Sequence, residues 1–208
     1  GAWHGGWCWE LLTPLLQQEG HDVVVMDLPC DDASATFDGY ADVVCGALDG
    51  CDQDVVLVGH SLGANTIPLI AARRPIRHLV YLCGVVPAID QSVVDQIVGS
   101  DMMLPGWDAG LSEPDAESRT AWVDADCARA LLFADCDELT VEAAFNRLRP
   151  QAHFPSVLPF SLSEFPTVSC TSVICSEDRM VNPDWSKRIA RDRLGAEVVE
   201  LPGSHSPF

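Results

Sequence analysis

Five short apolar, β-branched runs punctuate the chain, and they constrain its fold more than any other feature. They are Val23-Val24-Val25-Met26, Val55-Val56-Leu57-Val58, Leu79-Val80-Tyr81-Leu82, Ser172-Val173-Ile174-Cys175 and Val198-Val199-Glu200-Leu201. Most are continuous rather than alternating, the pattern of strands buried on both faces of a parallel sheet. Parallel neighbours need crossover connections, usually helices. The intervals supply them. Asn182-Pro183-Asp184 reads as a helix start, with a capping side chain, a proline at the first helical position and an acid in the first turn. Lys187, Arg188, Arg191 and Arg193 follow toward the negative end of the helix dipole, and Gly195 closes it. Between Trp7 and Gln18 the apolar spacing is again helical, but Pro14 either breaks that helix or marks its start with Thr13 as cap.

The expected architecture is α/β, with a core formed by residues 1–87 and 168–208. Residues 88–167 contain no strong strand and read as a mostly helical insertion over the sheet. Within it Val141, Ala144, Phe145 and Leu148 share one helical face, with Pro150 as the stop.

At 208 residues and 48% hydrophobic, the chain has enough apolar material for one sizeable core. No apolar run approaches the roughly 20 residues that span a bilayer, so no membrane partner is expected. A formal charge of −19, with Lys187 the single lysine, repels phosphate backbones and argues against nucleic acid. The nine cysteines are odd in number and contain no C-x-x-C pair. Cys83 and Cys175 fall inside or beside apolar runs as small hydrophobes. Neither a metal cluster nor a phosphate loop is legible, so no cofactor is expected.

The second run leads into Gly59-His60-Ser61-Leu62-Gly63, a G-x-S-x-G between a strand and a helix-forming segment. A serine there sits on a sharp turn that presents Oγ, and the flanking glycines remove side chains that would clash. Pro68 is expected to kink the helix that follows. A serine hydroxyl needs a base, and the base an orienting carboxylate. Asp178 and His205 each lie just past a strand run, in the order Ser, Asp, His, at the sheet edge where sites in such folds form. Glu177 is a rival carboxylate. A tetrahedral oxyanion needs two N–H donors. These are expected from Leu62, directly after the nucleophile, and from Ala2 in the glycine-rich opening.

Together GAWHGGWCW, VLVGHSLGA, SEDRMV and GSHSPF resemble the α/β-hydrolase superfamily, in its branch of small esterases, plant methyl esterases and hydroxynitrile lyases. The resemblance spans the chain and is weakest in the insertion. It implies the three-layer α/β-hydrolase fold with a mostly parallel sheet, Ser61, Asp178 and His205 as triad, and Ala2 and Leu62 as oxyanion donors. It also implies a helical cap over an apolar pocket for a small-molecule ester, and no metal or other cofactor. In that branch lyase activity goes with a threonine where this chain has Gly1 and a lysine where it has Ser206, so hydrolysis leads; a non-catalytic ligand-binding relative is the third reading. Trp107, Trp122, Met102, Met103, Phe133 and Phe154 are candidates for lining the pocket or for packing the cap. The branch normally carries a strand before the oxyanion loop, between those of residues 23–26 and 55–58, and a helix after the histidine. Residues 1–208 are therefore expected to be a fragment, unstable by itself. A cytoplasmic location and a homodimer are further expectations.

Overall fold

A computed structural model describes residues 1–51 and 54–208. After a 3₁₀ turn at Gly6–Trp9 come α1 (Thr13–Gln18), α2 (Phe37–Ala47), β1 (Val56–His60), a 3₁₀ turn at Ser61–Asn65, α3 (Ile67–Ala71) and β2 (His78–Leu82). The region between β2 and the next long strand holds α4 (Val93–Gly99), β3 (Arg119–Thr120), α5 (Ala125–Leu132), α6 (Glu138–Phe145), β4 (Gln151–Ala152) and α7 (Phe154–Val157). The chain returns through β5 (Cys170–Cys175), α8 (Pro183–Leu194) and β6 (Glu197–Leu201).

Four strands form a sheet in the order β1-β2-β5-β6, every pair parallel. β3 and β4 form a separate antiparallel ladder within the otherwise helical segment between β2 and β5. Burial follows position in the sheet. Leu79, Tyr81, Ile174 and Cys175 are buried, whereas Val56 and Val58 on β1 are 47% and 42% exposed. Continuous burial on both faces was the expectation for most of the runs. It fails at edge strand β1, where alternate residues, Val56 and Val58, line a cavity instead of packing under a covering layer.

The run at 23–26 forms no strand. Residues 21–29 join no ladder, and they line a cavity of about 870 Å³ together with β1, Val24 and Met26 from the one and Val56 and Val58 from the other. Extended β-branched residues become a strand only when a neighbour satisfies their N–H and C=O groups.

Local signals explain the helix ends. Asn182 Oδ1 accepts from the Asp184 amide at 3.1 Å, and Gly195 closes α8 at φ 57°, a conformation only glycine adopts freely. Trp185 on α8 is buried among the core residues. Pro14 lies in the first turn of α1, but Thr13 is inside the helix and its hydroxyl caps nothing. Pro68 likewise sits in the first turn of α3, where no internal hydrogen bond exists to lose, so the expected kink is instead a fresh helix start. α6 ends at Phe145, short of Leu148 and Pro150; Val141 and Ala144 are its buried positions.

Candidate active site

Strand β1 ends at His60, and the chain turns sharply at Ser61, whose φ is 49°. This left-handed conformation is uncommon for a non-glycine residue and is a form of strain concentrated at functional sites. The turn leaves little room for a side chain at Gly59: a Cβ there would lie 3.0 Å from the Gly63 carbonyl and 3.1 Å from Ala64 Cα. Gly63 is different. Its Cβ would meet only the Gly1 nitrogen, at 3.8 Å, so one flanking glycine of the motif, not both, is demanded by packing. Beyond β2 the chain also supports the turn, with the Val85 amide donating to the Ser61 carbonyl at 3.0 Å.

Ser61, His205 and Asp178 form one buried chain of hydrogen bonds. The Ser61 hydroxyl donates to His205 Nε2 at 2.9 Å, and His205 Nδ1–H donates to Asp178 Oδ2 at 2.8 Å. The other oxygen, Oδ1, accepts from the Met180 and Val181 amides at 2.8 and 3.0 Å. Those amides hold the carboxylate in place and partly replace the water it has lost. Glu177 is exposed, so the geometry selects Asp178 from the two carboxylates.

Leu62 is the second residue of the 3₁₀ turn, where amides have no partner within the turn. Its neighbour across the site is the opening loop: a Cβ on Gly1 would fall 3.1 Å from Ser61 Cβ and 2.5 Å from His60 Nδ1. Both Ala2 and Leu62 are buried. Trp3 anchors the loop. Its indole N–H donates to the Thr120 carbonyl at 3.2 Å, its own carbonyl accepts from the Arg149 amide at 2.8 Å, and its ring meets Trp122 edge-on at 5.6 Å.

Two histidines that sequence order passed over support this centre. His4 Nδ1–H donates to the Ala2 carbonyl at 2.7 Å, and its Nε2 faces the Ser206 hydroxyl at 3.4 Å, joining the opening loop to the residue after His205. Burial is the main force pushing its pKa down, to about 3, so the ring is neutral. His60 Nε2–H donates to the His205 carbonyl at 2.8 Å, and burial lowers its pKa strongly as well. Neither role has a local signature, because both depend on residues far away in the chain.

Met102, Trp122 and Phe133 are core residues, and Phe154 is at the surface, 40% exposed. The 870 Å³ cavity reaches Ala2, His60 and Leu62, but its walls do not include Ser61 or His205. Among the described residues, Cys83, Asp178 and His205 are one group with metal-ligand composition, their donor atoms within 4.8 Å of one another. Asp178 and His205 are already hydrogen-bonded to each other, with the buried Cys83 thiol beside them. Cys83 and Cys175 are both buried, as expected of small hydrophobes.

The parallel sheet with its flanking helices, and the serine turn at the end of β1, define an α/β hydrolase. Residues 1–208 match the alpha/beta hydrolase family, and the chain belongs to it. It is 25% identical over 230 residues to Methylesterase 2 of Arabidopsis thaliana, spanning 100% of this chain and 88% of that protein. It is 26% identical over 222 residues to an alpha-hydroxynitrile lyase of the same plant, spanning 97% and 86%. The crystal structure of a polyneuridine aldehyde esterase variant superposes with a TM-score of 0.83 at 21% identity, covering 99% of this chain and 89% of that one. No helix among the described residues is long and apolar enough to cross a membrane.

Proposed function

We propose that the protein is a serine carboxylesterase acting on small-molecule esters, with Ser61, His205 and Asp178 as triad. The observation that carries this reading is the unbroken buried chain from Ser61 Oγ through His205 to Asp178, at 2.9 and 2.8 Å. In the first half-reaction Ser61 Oγ attacks the ester carbonyl as its proton passes to His205 Nε2. Asp178 stabilises the imidazolium that forms. The Leu62 and Ala2 amides receive the developing oxyanion. Collapse expels the alcohol, which takes the proton from His205, and leaves an acyl group on Ser61. Water, deprotonated by His205, then releases the acid and restores the serine. Nothing in these steps calls for a cofactor. In this reading residues 88–167 act as the cap over the acyl pocket. The methylesterase relatives support ester hydrolysis.

Cyanohydrin cleavage would use the same triad, and similarity to a hydroxynitrile lyase keeps it as the second reading. Against it stand Gly1 and Ser206, in place of the threonine and lysine that go with lyase activity. At Gly1 a side chain would run into His60 Nδ1.

A fluorophosphonate should label the wild-type protein and fail to label Ser61→Ala, and the same substitution should abolish hydrolysis of p-nitrophenyl acetate. Wild-type protein that neither labels nor hydrolyses the ester ends the esterase reading. Benzaldehyde release from mandelonitrile in its place would favour the lyase.

A further inference from the structure

His205 lies in a loop after β6, and a base on a loop must be held from more than one side to stay aligned with Ser61. On the core side, the Ser176 amide donates to the Leu201 carbonyl at 2.8 Å and the Glu177 amide to the Gly203 carbonyl at 3.1 Å. The opposite side is held by the segment between β2 and β5. Both residues flanking His205 reach the same short stretch, the C-terminal end of α5 and the turn after it. The Ser206 amide donates to the Leu132 carbonyl at 3.1 Å. The Ser204 amide donates to Asp135 Oδ2 at 3.1 Å, and its hydroxyl is shared between Asp135 Oδ1 and the Leu132 carbonyl. Arg179, next to Asp178, donates to the Ala130 carbonyl at 3.4 Å.

The last carbonyls of a helix have no partner within it. At the end of α5 those of Ala130 and Leu132 are taken up by the loops that carry Asp178 and His205. The fit around Asp135 is close: a Cβ at Gly203, whose φ is +124°, would lie 2.9 Å from Asp135 Oδ2. Partial burial pushes the Asp135 carboxyl up, but hydrogen bonds from the Ser204 side chain and amide outweigh it and hold the group below the usual carboxylate range.

We propose that Asp135 is a positioning residue for His205, and that it and the end of α5 clamp the loop of the base through Ser204 and Ser206. The seating of the α5–α6 segment and the alignment of the triad are then one event: a movement that lifts this turn from residues 204–206 disengages the base. This inference rests on the esterase reading only for the role of His205; the clamp is a matter of contacts.

The test compares Asp135→Ala, Asp135→Asn and Ser204→Ala with wild type. The readouts are kcat and KM for p-nitrophenyl acetate, the rate of fluorophosphonate labelling, and the downfield proton resonance of the His205–Asp178 hydrogen bond. Asp135→Ala should lower kcat by about 10- to 100-fold, the scale of a small misplacement of a reacting group, with KM little changed. Labelling should slow in proportion and the resonance broaden or vanish. Asparagine can accept from the Ser204 amide and donate to its hydroxyl, which then donates to Leu132, so Asp135→Asn should restore most of the rate. Ser204→Ala, which deletes one hydroxyl, should shift all three readouts the same way by less, and it carries the test if Asp135→Ala does not fold. Wild-type kcat and resonance in both alanine variants, a fall in melting temperature alone, or an asparagine variant no better than alanine would each overturn the clamp. If wild type labels and shows the resonance yet hydrolyses no ester, the esterase reading fails, while labelling rate and resonance still decide the clamp.

Discussion

Acidification should destabilise the protein through His4, and the size of the effect follows from its surroundings. His4 donates from Nδ1 to the Ala2 carbonyl and offers Nε2 to the Ser206 hydroxyl, a pattern that suits the neutral ring. Burial foremost brings its pKa to about 3 from 6.5. The unfolded chain takes up a proton near its ordinary value, and the folded chain does not until about 3. Stability is therefore present above pH 6.5 and is lost as pH falls from there toward 3. Each pH unit in that window costs about 1.4 kcal/mol, so at about pH 5 the loss through His4 is about 2 kcal/mol. That is a large share of the roughly 5–15 kcal/mol typical of a domain. His60 shifts in the same direction and adds to the loss. Urea unfolding followed by tryptophan fluorescence at about pH 7.5 and about pH 5 measures it, with His4→Asn as the comparison. Asparagine keeps a donor for the Ala2 carbonyl but cannot titrate. The variant should be weaker than wild type at the higher pH and lose about 2 kcal/mol less between the two conditions. Equal losses in wild type and variant would refute the assignment of a neutral, buried His4.

Asp178→Asn keeps the shape of the triad but cannot stabilise the imidazolium, and should cut kcat on p-nitrophenyl acetate by about 10³- to 10⁴-fold with little change in KM. Gly59→Ala forces a Cβ to 3.0 Å from the Gly63 carbonyl and should cost about 1–3 kcal/mol in urea unfolding; Gly63→Ala, with ordinary space around it, should cost distinctly less. Trp185→Ala empties a buried site between α8 and the sheet and should cost about 3–5 kcal/mol, seen as a lower melting temperature.

The candidate site was legible because it is written in short-range patterns. Ser61 is marked by a strand, two glycines and a helix-forming segment within a dozen residues. Asp178 and His205 are each marked by their place just past an apolar run, and the structure joins all three at hydrogen-bonding distance. The end of α8 was equally readable, since Asn182 and Gly195 act on backbone within one turn. Tertiary structure decided the rest. It selected Asp178 over Glu177, turned Pro68 from a kink into a helix start, and brought His4, Ser204 and Asp135 around the base. The run at 23–26 makes the division clear. Its β-branched residues favour a strand, yet the run joins no ladder. A strand, however, is a relation between two segments, and its hydrogen bonds come from across the sheet. His4 follows the same logic, since its neutrality is set first by the depth at which folding buries it. A sequence specifies conformation residue by residue where the forces are local; partners, burial and charge state exist only once distant segments meet.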